Sequence, residues 1–365
     1  LSKLKVGIIF GGKSAEHEVS LQSAKNIVEA IDPSKYEVVL IGIDKKGQWQ
    51  LNDASTFLLN EENPALIRLN ASERGVAISP GKDSGQFIAT SGSTPMDQLD
   101  VVFPIVHGTL GEDGSLQGML RLANVPYVGP NVLSSAICMD KDIAKKLLSS
   151  AGIQTAKGVS FTSNQKEQIT FASIEAALGT PVFIKPANMG SSVGVNKAQN
   201  EEEFVQAVEE AFLYDHKIII EEAIVGREIE VAVLGNEEPE ASLPGEILPQ
   251  SEFYSYASKY IDEDGAGLAA PADLTPEQTK AVQESAIAAF QALQCEGLSR
   301  VDFFLQPDDT LLVNEINTLP GFTAISMYPK LWEVSGVSYP DLIERLIQLA
   351  IERHQRTQGL KSSIN

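Results

Sequence analysis

Apolar positions bunch early in the chain. "LKVGIIF" (4–10) is a short apolar run closed by Gly11-Gly12, which predicts a buried strand. From Ser14 to about Ile31 the period lengthens to that of a helix. Ser14 suits the N-cap, Glu16 and Glu18 suit the first turn, and Val19, Ile27 and Ile31 share a face. "IDPSKY" breaks that helix and "EVVLIGID" predicts a second strand, so a βαβ unit opens the chain. Residues 50–97 are polar and irregular, with Pro, Gly and Ser clusters, and read as an elaborated excursion. "DVVFPIVHG" (100–108) is another buried strand, followed by a helix over "GSLQGMLRLAN". Residues 1–132 are therefore expected to form an open, mostly parallel α/β sheet flanked by helices.

From "MDKDIAKKLLSSAG" the pattern changes. A helix at about 140–151 leads to short strands "KGVSF" and "TPVFIKPA", a Gly-Ser turn, the helix "EEEFVQAVEEAFL" and the strand "KIIIEEAIV". "REIEVAVLG" and "SLPGEILP" predict further strands. The next helix is well marked: Thr275 as N-cap, Pro276 at N1 and Gln278 at N3. "LSRVDFFLQPDDTLLVNEINTLPG" predicts a hairpin, and an amphipathic helix follows at about 340–353. Residues 133–222 and 223–365 read as two α+β modules packed behind the first domain.

Gly7 to Ser14, "GIIFGGKS", fits the phosphate-loop pattern G-x-x-x-x-G-K-[ST]. Such a loop needs its variable residues outside regular structure, where N–H groups can curl around phosphate oxygens. Here Ile8, Ile9 and Phe10 belong to the strand, so the match is taken as accidental. The Gly-Gly turn instead sits at the carboxyl edge of a strand, where open α/β sheets bind ligands. It presents Ser14, Glu16 and His17, and Glu16 is placed to grip an ammonium group.

The formal charge of −21 argues against nucleic acid or an anionic membrane as the main partner. Any anionic ligand must then be held by a local cluster of Lys, Arg, backbone N–H or metal. No apolar run is long enough to span a bilayer, and "LSKLKVGIIFGG" is too soon interrupted for a signal peptide. Cys138 and Cys295 lie far apart in sequence, match no metal-ligand spacing and read as core or near-core thiols in a reducing cytoplasm.

The strongest constellation is Arg300 to Asn317. Alternation puts Arg300, Asp302 and Phe304 on one face of "RVDFFL", and Val313, Glu315 and Asn317 on one face of "LLVNEIN". With "PDDT" (307–310) as a four-residue connection, Gln306 pairs Leu311, Asp302 faces Glu315 and Arg300 faces Asn317. Two facing carboxylates repel. They make sense around a divalent cation, and Asp, Glu and an Asn carbonyl are hard ligands suited to Mg²⁺. The bland alternative is a solvated polar face. "FIKPANMGSSVGV" (183–195) supplies Lys185 and a loop whose Gly190 and Gly194 can lay N–H groups on an anion, with Ser191 and Ser192 adding hydroxyls. Lys141 is a second candidate cation. Glu221 and Glu228, at a strand end, could accept from an adenine amino group or ribose hydroxyls.

"FGGKSAEHEVS", "HGTLGEDGSLQG", "KPANMGSSVGV", "ASKYID", "SRVDFF" and "NEINTLPGFTAIS" together resemble the D-alanine–D-alanine ligases, members of the ATP-grasp fold. The resemblance covers essentially the whole chain. It implies a pre-ATP-grasp domain followed by a two-module ATP-grasp fold. It also implies a cytoplasmic, peptidoglycan-supplying reaction of ATP with two D-alanines. Glu16 would hold the first substrate's ammonium, linked to Ser191 and Tyr260. Arg300 and the Gly321 N–H would form an oxyanion hole, and Ser326 would hold the second substrate's carboxylate. His107 would lie at the substrate. Asp302, Glu315 and Asn317 would bind two Mg²⁺, with Mn²⁺ as a substitute. Lys141, Lys185, Ser192 and Lys259 would meet phosphates. Glu221, Glu222, Ala223 and Glu228 would meet the nucleoside; many relatives have Lys in place of Glu222, which leaves Ala223 a backbone contact. The Lys259-Tyr260 pair favours a dipeptide over a D-alanyl-D-lactate product, and 251–267 suits a loop that closes over the site. A homodimer is implied.

Other classes fit less well. A non-catalytic ATP-binding module would be favoured by loss of Arg300 or a metal ligand, and all are present. A ligase joining another acid and amine is opposed by Glu16, Ser326 and Lys259-Tyr260. A dinucleotide oxidoreductase would need G-x-G-x-x-G after the first strand, which is missing.

Overall fold

The computed structural model describes residues 3–81, 84–90, 96, 98–249, 266–323 and 325–361. The Lys259 and Tyr260 expectations lie outside these residues.

The opening βαβ unit forms as the sequence predicts. β1 (Leu4–Gly11) pairs in parallel with β2 (Tyr36–Ile43), and α1 (His17–Ala30) crosses between them. β1 runs straight through Gly7, so the phosphate-loop match is indeed strand. At Gly11, φ is +88° and a Cβ would meet the Ile43 carbonyl at 2.2 Å, so only glycine makes this turn. The helix starts two residues later than expected. Ser14 is not its cap: Glu16 holds the N-cap position, and Ser14 Oγ accepts from the Glu16 N–H and donates to the His107 carbonyl.

β3 (Trp49–Asn52) and β8 (Val101–Ile105) complete a sheet of order β3-β2-β1-β8, antiparallel only at β3. The irregular excursion contains two small hairpins, β4–β5 (Leu58–Leu59, Arg68–Leu69) and β6–β7 (Val76–Ile78, Phe87–Ala89). After α2 (Ser115–Leu122), a helix the sequence reading missed, α3 (Val132–Met139), precedes α4 (Lys141–Ser150). Asn131 and Asp140 cap these two helices through side-chain hydrogen bonds.

A second sheet has the order β11-β10-β12-β9, all antiparallel: β9 (Gly158–Thr162), β10 (Val182–Pro186), β11 (Asn196–Ala198) and β12 (Lys217–Glu222). The unforeseen α5 (Phe171–Leu178) and the predicted α6 (Glu201–Tyr214) belong to this part of the chain, and Ile174 of α5 joins Phe204 and Val208 of α6 in its core.

The third sheet holds β13 (Arg227–Gly235), β14 (Glu240–Ala241), β15 (Gly245–Pro249), β16 (Ala266–Ala269), β17 (Gly297–Leu305) and β18 (Leu311–Asn317). α7 (Pro276–Ala292) has the expected capping box at Thr275 and Gln278. It packs Val282, Ala286 and Phe290 against Val301, Phe303 and Leu305 of β17. Cys138 and Cys295 are free, buried thiols in this same core, and they are neighbours in space, with Sγ atoms 3.6 Å apart.

α8 (Met327–Val334) and α9 (Tyr339–Gln358) end the described chain. α9 returns to the first sheet: Leu342, Ile343, Leu346 and Ile347 share a core with Val6, Ile8, Phe10 and Phe103. Arg353 seals the join by donating to the Tyr127 and Gly129 carbonyls, and its guanidinium lies over the Tyr127 ring.

Candidate active site

The β17–β18 hairpin carries the acidic face. Asp302 stands opposite Glu315, and Arg300 opposite Asn317, as expected. The route to that register differs from the expectation. Leu305, not Gln306, pairs Leu311, so the connection is Gln306–Thr310, closed by Gln306 N–H to Thr310 O and by Asp309 at φ +64°. The register then shifts between Asp302 and Phe303, where Asn314 is the extra residue of β18. Val313 therefore does not share a face with Glu315. It turns into the core beside Ile316 and Phe303, while Glu315 and Asn317 stay at the site.

The facing carboxylates are compensated. Arg300 donates to both Asp302 oxygens, Nε at 2.7 Å and Nη2 at 2.7 Å, and its Nε also lies 3.0 Å from Glu230. The Asn317 amide donates to Asp302 at 2.9 Å, and Lys141 Nζ is 3.7 Å from Glu315. Two carboxylates and an amide oxygen fit a hard cation such as Mg²⁺, which completes its shell with phosphate oxygens and water. Among the described residues no three or more His, Cys, Asp or Glu form a self-sufficient metal cage.

Glu16 reaches this hairpin from the first sheet. Arg300, Glu315, Asn317, Gly321 and Ser326 line one pocket with Glu16 and Ser191. Ser191 Oγ donates to Glu16, across 175 residues of sequence. Gly108 leaves room for the carboxylate: its φ is +75°, and a Cβ would lie 2.5 Å from Glu16 Oε2. His17 does not touch Glu16 in this way; its Nδ1 bonds the Gly12 carbonyl at 2.8 Å. His107 lines the pocket, but both its ring nitrogens are engaged by protein, with Leu319 O at 2.9 Å and Ser23 Oγ at 3.1 Å. Ser326 Oγ accepts from the Thr323 N–H at 3.0 Å.

The Ser191–Ser192 turn is pinned from behind. Lys141 donates to the Met189 carbonyl at 2.7 Å, and Asn188 donates twice to Asp215. Ser191 and Ser192 both have left-handed φ, +51° and +60°. Lys185 lies 2.5 Å from Glu221, which is buried and also paired with Lys145, a cation the sequence reading missed. Burial opposes the charge on Glu221, yet Lys185 and Lys145 hold its carboxyl below the usual range. Glu222 accepts from the Lys157 N–H, and the Ala223 N–H donates to the Pro181 carbonyl. Glu228 is half-buried on β13, in register with Phe304 of β17.

Glu112 was also missed. "GED" in a turn reads as a solvated acid, yet its carboxyl lines the pocket and accepts from the Gly108 N–H at 3.0 Å. Burial and the adjacent Glu16 carboxylate push it well above the usual range. A raised value in the fold means that folding holds a proton the unfolded chain releases above its ordinary pKa. Stability is then lost as pH rises from there through the folded value. Glu112→Gln, which mimics the neutral acid, is expected to raise the Tm of the ligand-free protein at pH 8. The gain should close as pH falls toward the ordinary carboxyl range. Identical Tm–pH curves for the two proteins would contradict this.

Glu16 and Arg300 share one pocket, and two antiparallel sheets follow the first, mostly parallel one; this is the architecture of a carboxylate–amine ligase of the ATP-grasp fold. The family model described as D-ala D-ala ligase N-terminus matches residues 5–130, and that described as D-ala D-ala ligase C-terminus matches residues 147–348. The D-alanine–D-alanine ligase of Shouchella clausii is 66% identical over 364 residues, covering 100% of this chain and 99% of the relative. Among solved structures, the D-alanine-D-alanine ligase from Coxiella burnetii superposes with a TM-score of 0.84 at 42% identity, covering 98% of this chain and 97% of that one. The VanG D-Ala:D-Ser ligase from Enterococcus faecalis gives 0.84 at 39% identity, covering 96% and 100%. The chain belongs to the D-alanine–D-alanine ligase family.

Proposed function

We propose that the pocket between Glu16 and the β17–β18 hairpin is where this chain uses ATP to join two D-alanines into D-alanyl-D-alanine for peptidoglycan. The observation that carries this reading is the meeting of Glu16, Ser191 and Arg300 in one pocket, from three distant parts of the chain.

A carboxylate is a poor electrophile. The γ-phosphoryl of ATP passes to the first D-alanine's carboxylate, giving an acyl phosphate and ADP. The second D-alanine's amine attacks that carbonyl, a tetrahedral intermediate forms, and phosphate leaves as the peptide bond is made. Glu16, steadied by Ser191, holds the first ammonium; Tyr260 is assigned to the same hydrogen-bonded set. Arg300 and the Gly321 N–H meet the charge that develops on the carbonyl oxygen. Ser326 holds the second carboxylate. Lys141, Lys185, Lys259 and Ser192 contact phosphates, and Glu228 the ribose. Glu221 already binds two lysines, so a purine amino group would share its oxygens rather than find a free one. Glu222 and Ala223 form the neighbouring edge of the nucleoside site. Asp302, Glu315 and Asn317 would hold two Mg²⁺, or Mn²⁺, whose charge would neutralise phosphate oxygens.

We place module boundaries at 132/133 and 222/223, a division supported by the three larger sheets each lying within one segment. A cytoplasmic homodimer is carried forward from the same family resemblance. Among the described residues no helix is long and apolar enough to cross a membrane.

The test is phosphate release from Mg·ATP with D-alanine, L-alanine or no amino acid, with product mass recorded. Release is expected only with D-alanine, yielding the dipeptide. Chelation should abolish it, and added Mg²⁺ or Mn²⁺ should restore it. Release without dipeptide, or with L-alanine alone, would overturn the reading.

A further inference from the structure

We infer that Ser23 and His107 are positioning residues that hold the Leu319–Phe322 loop, and with it the Gly321 N–H, in the orientation the reaction needs. This deepens the ligase reading and rests on it.

The hydrogen-bond directions follow from the atoms. His107 Nδ1 lies 2.9 Å from the Leu319 carbonyl, which can only accept, so Nδ1 carries the proton. In the neutral ring Nε2 is then an acceptor, and Ser23 Oγ, 3.1 Å away, donates to it. Ser23 Oγ in turn accepts from the Phe322 N–H, at a long 3.4 Å. On the far side Tyr339 Oη donates to the Phe322 carbonyl at 2.6 Å. Burial lowers the pKa of His107, in keeping with the neutral form.

The result is a clamp on both sides of Pro320-Gly321. Leu319 is held by its carbonyl, Phe322 by both of its backbone groups, and both side chains are in the core. The Phe322 ring also packs on Phe103 and Tyr339, with centroids 5.9 Å and 5.3 Å away. Proline fixes its own φ. Little freedom is left to the peptide that carries the Gly321 N–H. A donor aimed at developing charge is effective only if it is fixed before the reaction begins. Ser23 is fully buried on α1, and His107 sits just beyond β8, so the first sheet's region sets the geometry of a loop that follows the third sheet. His107, with both ring nitrogens engaged and 2% exposure, acts on the loop through these two bonds.

The experiment compares Ser23→Ala, His107→Asn, the double variant and Ser23→Cys with the wild type, each checked for folding by near-UV circular dichroism. Removing an oxyanion donor outright costs about 10²–10³ in kcat, and misaiming it should cost about 10–100-fold. The expected result is that loss in kcat, with KM for ATP and D-alanine changed less than about threefold. The double variant should be no worse than the poorer single, because one network is broken either way. Ser23→Cys keeps a weak donor and acceptor of similar volume, so it should recover part of kcat, and it reports if Ser23→Ala fails to fold. Losses confined to KM, additive losses, or an unchanged kcat would each overturn the proposal. A wild type that makes no dipeptide would instead overturn the ligase reading, so the two failures are told apart.

Discussion

Arg300→Ala is expected to lower kcat by at least about 10³, beyond the 10²–10³ typical of one lost oxyanion donor. The side chain has two tasks. In the proposed mechanism its guanidinium meets the charge that develops on the acyl oxygen, and it also neutralises Asp302 and Glu230, which lie 2.7 Å and 3.0 Å from it. Without it the hairpin presents carboxylates that repel one another at the place the proposed mechanism gives to the phosphates. The KM for ATP should therefore rise as well. Arg300→Lys should rescue little, because a single ammonium cannot reproduce the paired Nε and Nη2 contacts to both Asp302 oxygens. Steady-state kinetics at saturating Mg²⁺ decide it; a loss below tenfold would remove Arg300 from the oxyanion role.

Glu221→Gln is expected to cost stability on the scale of a broken buried ion pair, about 3–5 kcal/mol. Lys185 and Lys145 converge on this one carboxylate, and Glu221 is 3% exposed. Removing its charge leaves two buried ammonium groups facing each other. The pH dependence has a definite sign. Because the folded carboxyl is held below its ordinary value, its contribution is present above the unfolded pKa and lost as pH falls through the folded one. The gap between variant and wild type should thus be full at neutral pH and shrink in acid. Mg·ATP should narrow it at neutral pH, since phosphate oxygens offer the lysines another partner. Urea titrations of both proteins, with and without nucleotide, measure this. A gap that does not change with pH would contradict it.

Much of the candidate site's geometry was legible because it rides on a strict period. Arg300 and Asp302 alternate with Val301 and Phe303, so the strand announces which side chains enter the core and which do not. Glu16 was legible from its place just after a Gly-Gly turn. The hairpin's bulge was not legible: one extra residue, Asn314, leaves no trace in an alternation only seven residues long, and it moves Val313 to the opposite face. Lys145 and Glu112 were missed for a different reason. A lysine on a polar helix and an acid in a turn look solvated, and only tertiary packing encloses them. Ser23 reads as an ordinary helical serine until Phe322, 299 residues on, comes to it. The helix over Val132–Met139 was missed because its apolar composition, "VLSSAICM", shows no polar face to set a period. Its cap, Asn131, was the available signal.

The return of α9 to the first sheet has a consequence for how the chain is made. β1, β2 and β8 are complete by Ile105, but part of their apolar face is covered only by a helix that begins at Tyr339. On the ribosome, the earliest sheet must wait for one of the last segments before its core can close. Domains usually fold in order of synthesis. Here α1 covers β1 early, while the side of β8 that meets this last helix stays open through the synthesis of the intervening chain. The vulnerable interval for aggregation is therefore set by the time of translation rather than by the speed of any local folding step.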